Sequence, residues 1–186
     1  MKTRAYMGSL PSLALILALL LGSQLGLRAA ATIFLSLPPI SGESENVTHK
    51  AEMEVLSFQF GLSNAVVSTG EGTGKPFLSD ITITKFLDRA SPTLAQTLTQ
   101  GTHLKTAKLS VQRVGTEKPI DYYTIDLEDV MITSVSVAGD AGDSRPTEVI
   151  SLNFNKATWT YKVVGTDGAL KETVTGSFNK KTGAIQ

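Results

Sequence analysis

Few side chains in this chain could do chemistry. His49 and His103 are the two histidines among 186 residues, and there is no cysteine. His49 and Glu52 form an H-x-x-E pair, a spacing that on a helix would put two metal ligands on one face. The flanking pattern is that of a strand, where side chains three apart point to opposite faces. His49 is therefore expected to be a hydrogen-bonding residue, and His103, just after a helix stop, to lie in a turn. No metal and no cofactor is expected.

Other constellations fail on their own requirements. A Ser-His-carboxylate hydrolase has no G-x-S-x-G elbow here, nor the α/β alternation that usually carries one. GEGTGKP (70–76) resembles a phosphate loop, but position 69 is Thr where a Walker motif needs Gly, and Pro76 stands where it needs Ser or Thr. The acidic run 139–143 lacks the ligand spacing and the closing glutamate of a calcium loop. Asn46-Val47-Thr48 is a glycosylation sequon, meaningful only where exported chains are glycosylated. With no nucleophile in a recognisable setting, the chain is read as a non-enzyme.

The elements that would position these residues are mostly strands. Ile33, Leu35 and Leu37 alternate until Pro38-Pro39. Residues 52–60 carry Met53 and Val55 on one face and Leu56, Phe58 and Phe60 on the other, which predicts cover from both sides. Ile81/Ile83, Ala107/Leu109/Val111 and Tyr123/Ile125/Leu127 alternate in the same way. So do 130–137, 148–156 (Ile150, Leu152, Phe154), Trp159/Tyr161/Val163 and 173–178. Turn residues separate several of these runs. Many short strands with regular turns predict a β-sandwich or barrel. One stretch, KFLDRASPTLAQTLTQG (85–101), reads as a helix. Ser91 fits the N-cap, Pro92 the first turn, Leu94 and Leu98 one face, and Gly101 the left-handed C′ position. So short a helix is marginal alone, so Leu94 and Leu98 are expected to pack on the strands.

The first 31 residues have the order of a secretory signal peptide. A basic start (Lys2, Arg4) precedes an apolar run from Leu10 to Leu21, and Ala29, Ala30 and Ala31 offer a cleavage site after Ala29 or Ala31. The apolar run is short for a span of about 20 residues, so contact with a membrane is expected only through an uncleaved leader. A start at Met7 would remove both basic residues. Cleavage leaves one domain, 32–186. The leader holds three of the 17 basic residues and none of the 17 acidic ones, leaving 14 against 17, a net charge of −3. Without a basic patch, nucleic acid is not an expected partner. An exported chain without cysteine must be held by its core or by assembly.

Several pieces, taken in order, resemble one family. They are IFLSLPPISGES (33–44), His49, EVLSFQFGLSN (54–64), a Gly-rich loop through Lys75, 80–113, YYTIDLEDVMITSVS (122–136) and RPTEVISLNFNKATWTY (145–161). Together they resemble the Hcp family, the haemolysin-coregulated tube proteins of bacterial type VI secretion systems. The resemblance implies a β-barrel of two packed antiparallel sheets with one short helix against its side. It implies homohexameric rings that stack into a tube, with spike proteins or effectors in the lumen as possible partners. It also implies a ring-stacking loop, here Val66, Val67, Gly70, Glu71, Gly72, Gly74 and Lys75. The leader departs from the family pattern, in which subunits load from the cytoplasm. It carries the alternative reading of an exported Hcp-like binding or host-interaction protein outside a contractile tube, secreted or periplasmic.

Overall fold

The computed structural model describes residues 31–64, 76–113, 119–142, 145–165 and 169–183. The leader up to residue 30 and the seven loop positions from Val66 to Lys75 lie outside the described residues. Within them run β1 (Ala31–Ser36), β2 (Met53–Gln59), β3 (Leu62–Ser63), β4 (Phe77–Leu78), β5 (Ile81–Phe86), α1 (Ser91–Gln100), β6 (His103–Arg113), β7 (Ile120–Ala138), β8 (Thr147–Val164) and β9 (Leu170–Asn179). Six strands pair in the order β5-β2-β1-β6-β7-β8, and β5 pairs again with β8, so the sheet closes on itself. All pairings are antiparallel, and β3–β4 forms a small separate ribbon. The mostly-β barrel with one short helix is thus the observed fold. The two expected sheets are the two sides of one continuous hydrogen-bonded wall.

The inward faces follow from period-two alternation. Leu35, Leu109, Ile125, Ile81, Ile83 and Leu152 are buried inside. In β2 the register shifts between Val55 and Ser57, leaving Leu56 exposed and turning Phe58 toward the core. The expected cover on a second face of β2 is therefore absent at Leu56, because the bulge moves Phe58 to the same side as Val55.

Two pairs of expected strands are each one long strand. The runs 123–127 and 130–137 both belong to β7, and 148–156 and 159–163 both belong to β8. Asp129 has a φ of 56°, in the left-handed region that Asp tolerates better than most residues. Leu127 and Val130, three apart, are both buried, as are Phe154 and Ala157 opposite them. The alternation breaks while pairing continues, from Glu128↔Lys156 to Val130↔Phe154. This is a corner at which both strands turn together, with no Gly or Pro to end them.

Helix α1 starts differently from the sequence reading. The N-cap is Ala90, and Ser91 lies in the first turn beside Pro92. No side chain caps the helix; Asp88 Oδ1 accepts the N–H of Ala90 itself at 2.8 Å. The Ser91 hydroxyl is engaged elsewhere, donating to Glu148 Oε2 at 2.9 Å. Gly101, with φ 59°, ends the helix as expected. Leu94 and Thr97 are buried, and Leu98 is half-buried against the core.

The seam that closes the barrel carries a charge. Lys85 continues the inward row of Ile81 and Ile83 and is fully buried, directly opposite Glu148 on β8. Its Nζ lies 3.0 Å from Glu148 Oε2 and 2.8 Å from Asp88 Oδ1, and donates to the Phe86 carbonyl at 2.9 Å. Replacing it by Met strands two buried carboxylates, which costs about 3–5 kcal/mol. Urea unfolding of Lys85→Met should show that loss, and adding Glu148→Leu should recover part of it.

Candidate assembly surface

The long β7–β8 ribbon outruns the barrel. Near Thr147–Leu152, β8 pairs with β5, but from Lys156 to Val164 its neighbour is β9. Among the described residues β9 pairs with β8 alone, so its other edge is open. An unpaired edge of ten residues presents backbone donors and acceptors to any strand that fits. Lys171 and Glu172 put charge on it.

The face beside this edge is the barrel's own interior, continued outward. Cross-strand register aligns Val55, Ile33, Val111, Tyr123, Tyr161 and Val174 in one row. Burial falls along it. Val55 and Val111 are buried and Tyr123 half-buried, while Tyr161 is 46% and Val174 52% exposed. Burial raises the Tyr123 hydroxyl above its ordinary pKa, so it stays a neutral donor at physiological pH. The neighbouring row ends in Trp159 and Gly176, where a Cβ on Gly176 would meet open space. Trp159 stacks on Phe60 with ring centroids 6.1 Å apart. Tyr161 meets the Tyr122 ring edge-on at 6.1 Å, and the Arg113 guanidinium lies 5.0 Å from the same Tyr122 ring. An apolar row exposed at its end and bordered by an open strand edge is suited to assembly.

A sequence model of the family described as "Type VI secretion system effector, Hcp" matches residues 34–161. The chain belongs to the Hcp family. "Protein hcp1" of Pseudomonas aeruginosa is 34% identical over 143 residues, which are 75% of this chain and 88% of that protein. The "Major exported protein" of the same organism is 34% identical over 110 residues, 54% of this chain and 63% of that protein. A solved structure described as "a type six secretion system protein" superposes with a TM-score of 0.79 at 26% identity, covering 84% of this chain and all of that one.

In this Hcp chain the two histidines sit apart. His103, expected in a turn, is instead the first residue of β6. Its Nδ1 lies 3.0 Å from Asp129 Oδ1 at the ribbon's corner. Asn155 and Lys181 also donate to the Asp129 carboxylate. His49 lies in a turn before β2, not in a strand, so it does converge with Glu52: its Nδ1 is 2.9 Å from Glu52 Oε2. Its Nε2 is 2.9 Å from Asp121 Oδ1. No metal-binding group of three such side chains is found among the described residues. Residues 139–142 of the acidic run lie between β7 and β8, with Gly142 at a φ of 115°, and Asp143 lies outside the described residues. The exposed end of the apolar row escaped sequence reading, since Tyr161 and Val174 alternate as core residues do.

The hydrogen bond with His103, followed by those with Lys181 and Asn155, holds Asp129 below the usual carboxylate range. A depressed carboxyl stabilises the fold above its unfolded pKa and loses that effect as the pH falls through the folded value. Thermal melts of Asp129→Asn should therefore lie below wild type near neutrality. The two should converge in acid.

Proposed function

We propose that this protein is a ring-forming subunit that assembles as a homohexamer, as in the inner tube of a type VI secretion system, and acts by assembly rather than catalysis. The observation that carries the reading is the open β9 edge beside Tyr161 and Val174. A cyclic ring needs a heterologous contact in which each copy uses two different surfaces, and an open edge flanked by apolar side chains can serve as one of them. Stacking of rings would then fall to the loop holding Val66, Val67, Gly70, Glu71, Gly72, Gly74 and Lys75. Effectors in the lumen and spike proteins at the tube end are the partners this role would bring.

The leader supports export of the mature chain as a single domain, and it favours one second reading. A chain carried across the inner membrane by its own signal peptide is an Hcp-like binding or host-interaction protein that keeps the barrel but leaves the tube. β1 begins at Ala31, which pairs with Arg113. Cleavage after Ala29 leaves that strand whole, whereas cleavage after Ala31 shortens it. N-terminal sequencing of exported protein distinguishes these cuts.

Light scattering after size exclusion tests the ring. Wild type should elute as a hexamer. Tyr161→Lys and Val174→Lys should each weaken assembly by about tenfold or more, from the loss of roughly 1.5–3 kcal/mol of apolar burial. Their melting temperatures as monomers should stay close to that of monomeric wild type. A wild type that is monomeric at micromolar concentration overturns the reading.

A further inference from the structure

Residues 41–52 form a clip folded over the outer wall of the barrel. Its arms are joined by Gly42 N–H to Ala51 O at 2.8 Å, Ser44 N–H to Glu52 O at 3.0 Å, and Ala51 N–H to Ser44 O at 2.8 Å. Gly42 has no room for a side chain, since a Cβ would lie 2.3 Å from the Glu52 carbonyl oxygen. Ala51 is held at a φ of 61°, a conformation that costs a non-glycine residue about 1–2 kcal/mol. Something must hold so tight a clip against the wall.

His49 is that fastening. It is buried, and its ring stacks on Phe34 of β1 with centroids 4.3 Å apart and planes 11° from parallel. Glu52 within the clip and Asp121 at the start of β7 are the charged groups facing the two ring nitrogens, each at 2.9 Å. Strand β6 presents Gln112, which is uncharged. Gln112 Nε2 donates to Thr48 Oγ1 at 2.8 Å and to Asp121 Oδ1 at 3.1 Å, and Gln112 Oε1 accepts from Asn46 Nδ2 at 3.0 Å. Ionised carboxylates only accept hydrogen bonds, so both contacts are satisfied together only when both ring nitrogens carry hydrogen. The neutral ring, itself buried, would leave one lone pair against a carboxylate.

The fastening reaches the assembly surface through one residue. The β6–β7 register shifts between Val111 and Gln112, with Val111 opposite Tyr123 and Gln112 opposite Asp121. Tyr122 is the extra residue of that bulge, and its ring meets Tyr161 and the Arg113 guanidinium. Holding Asp121 therefore fixes how Tyr122 is presented.

We propose that His49 is a proton-operated latch. As an imidazolium it ties the clip to β7 through Glu52 and Asp121. Loss of its proton frees the clip and loosens the bulge that presents Tyr122. The effect on Tyr122 as part of an interface rests on the assembly reading above, and the latch itself does not. Hydrogen–deuterium exchange of the exported protein, followed by mass spectrometry, reads the clip directly. Protection at 42–52, taken relative to an unstructured peptide of the same sequence at each pH so that base catalysis of exchange cancels, should fall about tenfold or more from mildly acidic to mildly alkaline solution, the effect of losing one charge-assisted hydrogen bond. In His49→Gln protection should be low at both pH values, with no such fall. Should that variant fail to fold, Asp121→Asn keeps the stacked ring but removes one carboxylate, and its fall should shrink. Clip protection in wild type that does not change with pH overturns the latch, and so does an equal fall in the variants. Sedimentation of the same samples keeps the two readings apart. A wild type monomeric at every pH removes the ring reading and leaves the latch to be judged on the exchange at 42–52.

Discussion

Closure of the barrel depends on a contact that a core of leucine and isoleucine could not supply. β5 meets β8 along six residue pairs, and one of these is Lys85 against Glu148, both buried. A lysine inside a barrel is tolerated only if its three donors are used and its charge is matched. Here Asp88, the Phe86 carbonyl and, at 3.4 Å, Ser91 Oγ accept from it, while Glu148 Oε2 at 3.0 Å matches the charge. Two of these partners, Asp88 and Ser91, belong to the entry of α1. The seam and the helix are therefore one cooperative unit: the helix cannot leave without uncovering the charge, and β5 cannot leave β8 without separating it. Such a pair contributes more to specifying register than to net stability. A one-residue slip would put Lys85 outside and a threonine inside.

The second constraint is the corner at Asp129. A strand of 19 residues would run far past a small barrel if it stayed straight. The left-handed residue turns β7, and β8 follows because pairing resumes at once beyond it, with Val130 opposite Phe154. One half of the ribbon meets β5 through β8, while the other meets β6 through β7 and carries β9 on its β8 side. His103, Asn155 and Lys181, drawn from three different segments, hold the carboxylate at the turn. The exposed apolar face is the barrel's interior row carried past β8 onto β9.

Much of the fold was legible in the sequence, and the failures share a physical cause. Alternation located every long strand, and Pro92 and Gly101 bracketed the helix. The phase break in β7 was visible as Leu127 followed by Val130, but phase alone cannot tell a turned strand from two strands. Lys85 sits at an inward position of its own alternating run. Recognising it required a partner 63 positions along the chain, which only the closed register brings opposite. His49 and Glu52 were judged on the rule for strands, whereas the turn at 46–51 removes that rule. Tyr161 and Val174 have the pattern of core residues because they are core-facing, and what the sequence lacks is any mark of where the barrel ends.

Exposure of that row bears on how assembly would proceed. Burying two large apolar side chains contributes roughly 3–6 kcal/mol at most, less than or close to the estimated cost of about 4–15 kcal/mol for losing translational and rotational freedom. A single pairwise contact built on Tyr161, Val174 and a strand edge is therefore expected to be weak. An open chain of n subunits makes n − 1 such contacts, and closing it adds one more with no further loss of translational freedom. Closure is then an intramolecular step at high effective concentration. Partial rings should be sparse beside monomers and closed rings. Because the contact decides between these two states, a small change in how Tyr122 and Tyr161 are presented would have a steep effect on assembly.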